Sequence, residues 1–222
     1  VSALPDHTGE TCVIIGNGPS LKTVPDELLR KYPSFGCNYI NRLPFYPTYY
    51  TCIDSTVLCH NAGEIYNVAA MARHAFISSY ILPNPLLDRL RSLPNHIPVG
   101  ADTFVFDCEK YMSGNTAVYV ALKIAFFMGF KRALLVGVDH TQSFEHFDPS
   151  YPQAKNPNME GMRYHFTLAQ TIYSENGREI INLSPPSELD KIFTRGNMRD
   201  YVHTARDTDF GQICTETHEL LE

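Results

Sequence analysis

An α/β sandwich with a mostly parallel sheet is the architecture this sequence predicts. Short apolar, β-branched runs alternate with helix-patterned stretches along residues 11–190. Four of the runs end on Gly, Asn, Asp or His, the residue types that parallel strands place at their ligand-facing carboxyl ends. No internal repeat or low-complexity segment interrupts the alternation.

The elements follow in order. Residues 11–15 (Thr-Cys-Val-Ile-Ile) predict a buried strand. Pro19 and Ser20 open a helical turn, and residues 25–29 start a short helix. Residues 35–38 end a second strand, and residues 49–54 make a third that ends on Asp54. A helix over 57–71, a strand over 75–78 and a short helix over 86–93 come next. Within the harder stretch 95–112, residues 103–106 suggest an edge strand.

From residue 115 the pattern sharpens. Val118, Ala121, Leu122, Ala125 and Met128 keep a helical period. Asn115 or Thr116 caps that helix and Gly129 closes it. Residues 132–140 read as a buried strand ending Gly137-Val138-Asp139-His140. Residues 142–163, rich in Pro, Asn and aromatics, read as a functional loop or lid. A helix over 164–176 stops at Gly177, and a last strand covers 179–183 before Ser184-Pro185-Pro186-Ser187. The charged, weakly patterned residues 195–222 form a tail with no assigned role. The chain of 222 residues thus reads as one domain, 1–222, with its core over about 11–190.

Composition sets the bounds. Apolar residues make up 44% and charged residues 19%, enough for an ample core. A net charge of -6 disfavours broad nucleic-acid binding, which needs a basic face. It does not exclude a nucleotide, because a phosphate site can rest on backbone N–H groups. No apolar run approaches the roughly 20 residues of a membrane span, which leaves only peripheral membrane contact open. The six cysteines form no CxxC, and Cys12, Cys37 and Cys52 sit in or beside strand-like runs. That pattern predicts reduced, buried thiols in a cytoplasmic protein rather than a zinc site.

The strand ends carry the chemistry. Gly16-Asn17-Gly18-Pro19-Ser20 fits a phosphate or nucleotide loop, with glycines that admit a ligand and N–H groups that face an anion. It is neither a P-loop nor a full GxGxxG, and the same residues serve a tight strand-to-helix turn. Asn38 can read a base or ribose, or bond its own turn. Asp54 can hold a ribose hydroxyl or metal, or cap the next helix. Asn115 and Thr116 offer an amide, a hydroxyl and helix N–H groups to an anion, or simply cap. Asp139, His140 and His146 form the most reactive-looking cluster, with a histidine near an acid as general base. His165 reads as structural.

Several of these pieces together resemble the bacterial sialyltransferases of glycosyltransferase family 42. They also resemble the related motility-associated flagellin glycosyltransferase and archaeal 6-hydroxymethylpterin diphosphokinase (MptE-like) domains. The matching stretches are VIIGNGPSLK (13–22), CN (37–38), the Asp54 strand end, NTAVYVALKIAFFMGFKRALLVGVDH (115–140) and GREIINLSPPSEL (177–189). The sialyltransferase resemblance implies a Rossmann-like, GT-A-like three-layer sandwich that binds a CMP-sugar without a metal or other cofactor. Gly16, Asn17, Gly18 and Ser20 would then contact donor phosphate and ribose, with Pro19 in the same turn. Asn38 would contact the nucleotide, and Thr116 the donor carboxylate or phosphate. Gly137, Val138 and Asp139 would line the cytidine pocket. Asp54 replaces an asparagine of that family. Where the family has two leaving-group tyrosines, this chain has Thr141 and His146, with Tyr151 able to substitute. Where it has its base histidine, this chain has Asn156.

The implied function is a glycosyltransferase. Its donor is a nucleotide-activated sugar, first a CMP-linked acidic sugar, and its acceptor a bacterial or phage surface glycan or glycoprotein. His146 or His140 would be the proton carrier. The resemblance also leaves room for a homo-oligomer. The diphosphokinase relatives imply instead ATP and Mg²⁺, with Asp54 and Asp139 as metal ligands. A binding module without chemistry is the third reading.

Overall fold

The computed structural model describes residues 4–79, 85–100, 103–104, 106, 116–140, 145–151 and 158–202. Its strands are β1 (Thr11–Ile15), β2 (Ser34–Cys37), β3 (Tyr49–Cys52), β4 (His74–Ser78), β5 (His96–Val99), β6 (Arg132–Val136), β7 (Glu179–Asn182) and β8 (Thr194–Arg195). They form one sheet in the order β5-β4-β3-β2-β1-β6-β7-β8, and every pairing is parallel. The helices are α1 (Asp26–Lys31), α2 (Ser55–Met71), α3 (Pro85–Arg91), α4 (Ala117–Phe127), α5 (Met159–Glu175) and α6 (Arg199–Val202).

Both sheet faces are covered, so the central strands are buried at nearly every position rather than at alternate ones, Ser34 and Thr51 included. Val13 and Ile15 face a core shared with Leu28, Leu58, Ile65 and Leu90 from α1, α2 and α3. Cys12 and Ile14 face the opposite core, built on Tyr119, Leu122 and Ile124 of α4 and Phe166 and Tyr173 of α5. The result is the predicted three-layer sandwich. The chain builds outward from β1 in both directions, with β2 on one side and β6 on the other. That change of direction leaves a crevice above the carboxyl ends of these strands, the usual ligand position in such sheets.

Three expectations change. One edge strand, β5, comes from residues 96–99, whereas Thr103 and Phe104 of the expected edge strand lie in a bend, with Phe104 at φ +52°. Helix α5 begins at Met159, five residues before the expected start, because Asn158 Oδ1 caps it by accepting from Gly161 N–H at 2.8 Å. The polar residues around that cap read as loop. The presumed tail contributes structure up to Val202. Arg195 pairs in register with Asn182, and Lys31 Nζ donates to the carbonyls of Tyr201 and Val202, 2.9 Å each. Residues 203–222 lie outside the described part.

Cys12, Cys37 and Cys52 are buried and unpaired, whereas Cys59 is half-buried. Burial pushes the thiols of Cys12 and Cys37 far above their usual range and that of Cys52 up to about 12. No helix among the described residues is long and apolar enough to cross a membrane.

Candidate functional site

The turn after β1 is held by the end of β6. Gly16 N–H donates to the Val136 carbonyl at 2.9 Å and Gly18 N–H to that of Gly137 at 2.7 Å. Ser20 N–H donates to Asp139 Oδ2 at 2.8 Å, and its hydroxyl donates to Asp139 Oδ1. Leu21 N–H donates to the Gly18 carbonyl at 3.0 Å. The expectation that this turn offers its N–H groups to an anion therefore fails for residues 16, 18, 20 and 21. The glycines also have a different cause from the one expected. Neither Gly16 nor Gly18 has a positive φ. A Cβ on Gly16 would collide with the Gly137 carbonyl oxygen, and one on Gly18 would lie 2.6 Å from Asp139 Cγ. The two strand ends need small residues to touch each other, not to admit a ligand.

Above this junction lies a cavity of about 190 Å³. The turn contributes Gly16, Asn17 and Gly18, and the end of β2 contributes Cys37 and Asn38. The start of α4 contributes Thr116, Ala117 and Val118. Gly137, Val138, Asp139 and His140 come from the end of β6, Glu145 and His146 from the segment beyond it, and Met162 and Phe166 from α5. Most of the predicted site residues thus meet at one place. Pro19, Ser20 and Asp54 are not in the wall. Pro19 and Ser20 start the 3-10 turn Pro19–Thr23, whereas Asp54 caps α2 by accepting from Thr56 and Val57 N–H at 2.8 and 3.3 Å. Asn115, Thr141 and Asn156 lie outside the described residues.

Three buried polar atoms in this wall have no hydrogen-bond partner among the described residues: Asn17 Oδ1, Asn38 Oδ1 and His140 Nε2. Each such atom costs about 1–3 kcal/mol if left unsatisfied. Asn17 is oriented by its Nδ2, which donates to the Cys37 carbonyl at 2.8 Å. Asn38 sits at φ +49° while its carbonyl accepts from Tyr50 Oη at 2.6 Å. His140 is also left-handed, at φ +48°. Non-glycine residues in this region cost of order 1 kcal/mol or more and cluster at functional sites. The His140 ring lies edge-on to Phe166, 6.1 Å between centroids. Burial, helped by the Arg163 charge and opposed by Glu188, lowers its pKa, so the ring is neutral near pH 7 and can accept a proton.

A polar chain holds the backbone just after β6, at Val138. Val138 N–H donates to Ser184 Oγ at 2.9 Å, and Ser184 N–H to Asn182 Oδ1 at 3.0 Å. Asn182 Nδ2 donates to Asp190 Oδ1 at 2.8 Å, and Arg195 Nη1 reaches the Ser184 carbonyl at 2.7 Å. In the sequence Ser184 looks like punctuation after the last strand, and only the β6–β7 pairing reveals its role. Glu145, Met162 and Phe166 were also missed, because nothing local marks a residue that reaches the wall from a loop or a neighbouring helix.

The tyrosine that could assist a leaving group is used elsewhere. Tyr151 is buried and its hydroxyl accepts from Arg42 Nε at 2.9 Å. His165 lies within α5, its Nδ1 2.7 Å from the Gly161 carbonyl, and is not in the wall.

The carboxylates named for Mg²⁺ fit that ion poorly. Asp139 has both oxygens bound to Ser20, and Asp54 Oδ1 accepts from the α2 backbone. No group of three or more metal-ligating side chains occurs among the described residues.

Comparison with known proteins places the architecture. No protein-family model and no curated protein matches the chain. Solved structures do. The monofunctional α-2,3-sialyltransferase Cst-I of Campylobacter jejuni superposes with a TM-score of 0.62 and 17% identity, over 99% of this chain and 97% of that one. The fold is that of a bacterial sialyltransferase. The C. jejuni sialyltransferase CstII, in complex with cytidine-5'-monophosphate, gives 0.59 and 17%, over 89% of this chain and 88% of that one. The same enzyme with a trisaccharide acceptor and CMP gives 0.57 and 16%, over 85% and 87%. This sialyltransferase-like fold is thus shared at very low sequence identity.

Proposed function

We propose that this protein is a glycosyltransferase that takes its sugar from a CMP-linked donor, with an acidic, sialic-acid-like sugar first in line. The observation that carries the reading is the convergence of Asn17 Oδ1, Asn38 Oδ1 and His140 Nε2, buried and unpartnered, on one cavity. The two amide oxygens are acceptors waiting for donors. A nucleoside supplies them as ribose hydroxyls and, in cytosine, as an exocyclic amine. The neighbours in the fold that carry CMP add weight to that base.

The phosphate is assigned to the start of α4, where Thr116, Ala117 and Val118 line the wall. Thr116 Oγ1 already accepts from Val118 N–H at 3.3 Å, and the helix N-terminus favours negative charge. This replaces the glycine turn as the anion cradle, since most of that turn's N–H groups are spent. His140 acts as general base. Its Nε2 takes the proton of the acceptor hydroxyl as that oxygen bonds to the anomeric carbon and the bond from that carbon to the phosphate oxygen breaks. Such proton transfer contributes about 10²- to 10⁴-fold in rate. Asp139 is given a bracing role rather than a chemical one. The acceptor is assigned to the glycan or glycoprotein class. The metal-dependent kinase reading ranks lower, because its carboxylates are committed.

Calorimetric titration with CMP, CDP, UDP, GDP and ATP, each with and without Mg²⁺, tests the donor. CMP or CDP binding indifferent to Mg²⁺ is expected, whereas binding of ATP only with Mg²⁺ overturns the reading. Turnover of a CMP-sugar should fall at least about 100-fold in His140→Gln with CMP affinity kept.

A further inference from the structure

Two segments that touch each other contribute to the cavity wall. The turn at residues 38–42 carries Asn38, and the segment at residues 145–151 carries His146. Tyr151 joins them. Its ring stacks on Tyr39 at 3.7 Å and 22°, and its hydroxyl accepts from Arg42 Nε at 2.9 Å and donates to Asn41 Oδ1 at 3.2 Å. The Arg42 guanidinium also lies 5.3 Å from the Tyr151 ring centroid. Glu64 of α2 fixes both partners, accepting from Asn41 Nδ2 at 2.7 Å and from Arg42 Nη2 at 3.2 Å. The Tyr39 ring in turn meets the His146 ring edge-on, 5.4 Å between centroids. A second tie, Phe147 N–H to the Asn17 carbonyl at 2.8 Å, anchors the segment to the glycine turn.

Such a concentration of contacts on one phenol is more than a solvent-facing loop needs. Tyr151 is only 5% exposed, in a stretch that the sequence marks as polar. Its side chain does not line the cavity, but its stacking partner Tyr39 follows the wall residue Asn38 and meets the wall residue His146, while Asn41 and Arg42 hold its hydroxyl from the same turn. We propose that Tyr151, clamped by Arg42 and Asn41, is a positioning residue that sets His146 against Tyr39 and so fixes the width of the site between its Asn38 and His146 walls. Its consequence for nucleotide affinity rests on the transferase reading, whereas its consequence for the His146 ring does not.

The test therefore begins without ligand. The His146 ring signals are followed by proton–carbon NMR, assigned by their loss in His146→Gln. In Tyr151→Leu the ring-current shift from Tyr39 should collapse and the signals should move away from their wild-type positions. Tyr151→Phe keeps the stack and loses the hydroxyl, so it should move them part of the way. Arg42→Gln should move them in the same direction, and the double variant should fall short of the sum of the two, because both remove the Arg42–Tyr151 hydrogen bond while Tyr151→Phe also loses the bond to Asn41 and Arg42→Gln the one to Glu64. CMP affinity should fall about 3- to 10-fold in Tyr151→Phe and further in Tyr151→Leu. His146 signals that stay in place in a folded Tyr151→Leu protein overturn the proposal. If that variant does not fold, unmoved signals in Tyr151→Phe and Arg42→Gln overturn it equally. Failure of the wild-type chain to bind CMP counts against the transferase reading alone, and the ring signals then decide the positioning role.

Discussion

Asp139→Asn separates a brace from a catalyst. The carboxylate is buried, and both of its oxygens receive hydrogen bonds from Ser20, one from the N–H at 2.8 Å and one from the hydroxyl. Hydrogen bonds to a charged group contribute about 1.5–3 kcal/mol each, against about 0.5–1.5 for neutral pairs. Asparagine can keep one bond through its oxygen and reverse the other, with the hydroxyl now accepting from Nδ2. The shape survives and the charge assistance is lost, so the expected cost is about 2 kcal/mol. For a chain of this size that lowers Tm by about 4–8 °C. Asp139→Ala strands the Ser20 N–H and should cost more, about 3–4 kcal/mol. Urea titration and calorimetry on the two variants and on Ser20→Ala measure these costs. A cycle with Ser20→Ala should return a coupling of roughly 1 kcal/mol or more. If Asp139→Asn unfolds within about 0.5 kcal/mol of wild type while CMP-sugar turnover is abolished, the bracing argument fails and the carboxylate is chemical.

Other consequences follow from the same geometry. Gly18→Ala drives a methyl group to 2.6 Å from Asp139 Cγ, so it should destabilise by about 1–3 kcal/mol in urea unfolding, whereas Gly63→Ala, with open space around it, should not destabilise at all. Burial is the first cause of the lowered pKa of His74, His96 and His140, so each binds a proton more readily unfolded than folded. Their contribution to stability is complete above about pH 6.5 and is lost as pH falls toward the folded values; the urea midpoint should drop from about pH 7.5 to about pH 5.5, and His140→Gln should flatten part of that slope. Thiol alkylation of the native protein, read by peptide mass spectrometry, should spare Cys12, Cys37 and Cys52 and, of the four cysteines described, reach the half-buried Cys59 first.

The sequence alone was sufficient for the layers and for the rim of the site. A short, β-branched run such as Cys12-Val13-Ile14-Ile15, apolar at every position and stopped by Gly16, reads as a strand covered on both faces, and such strands come in parallel sheets. The polar residues at the ends of β1, β2 and β6 then had to share one edge, which brought Asn17, Asn38 and His140 together before any coordinates. Local rules also placed the α4 cap at Asn115 or Thr116, of which the structure uses Thr116, and its close at Gly129.

What each residue does at that edge was a matter of tertiary structure. Ser20 and Asp139 are 119 positions apart, and no local pattern says that they bond each other rather than a ligand. That single pairing turns the glycine turn from an anion cradle into a structural junction. Asp54 was equally ambiguous, because a capping carboxylate and a ribose-binding one have the same sequence signature. Ser184 takes its place from the pairing of β7 beside β6, and Tyr151 from the packing of residues 145–151 against the 38–42 turn. Hydrophobic period reports which side of an element is buried; the direction of a hydrogen bond depends on which other element arrives there, and that is set by the packing of the whole chain.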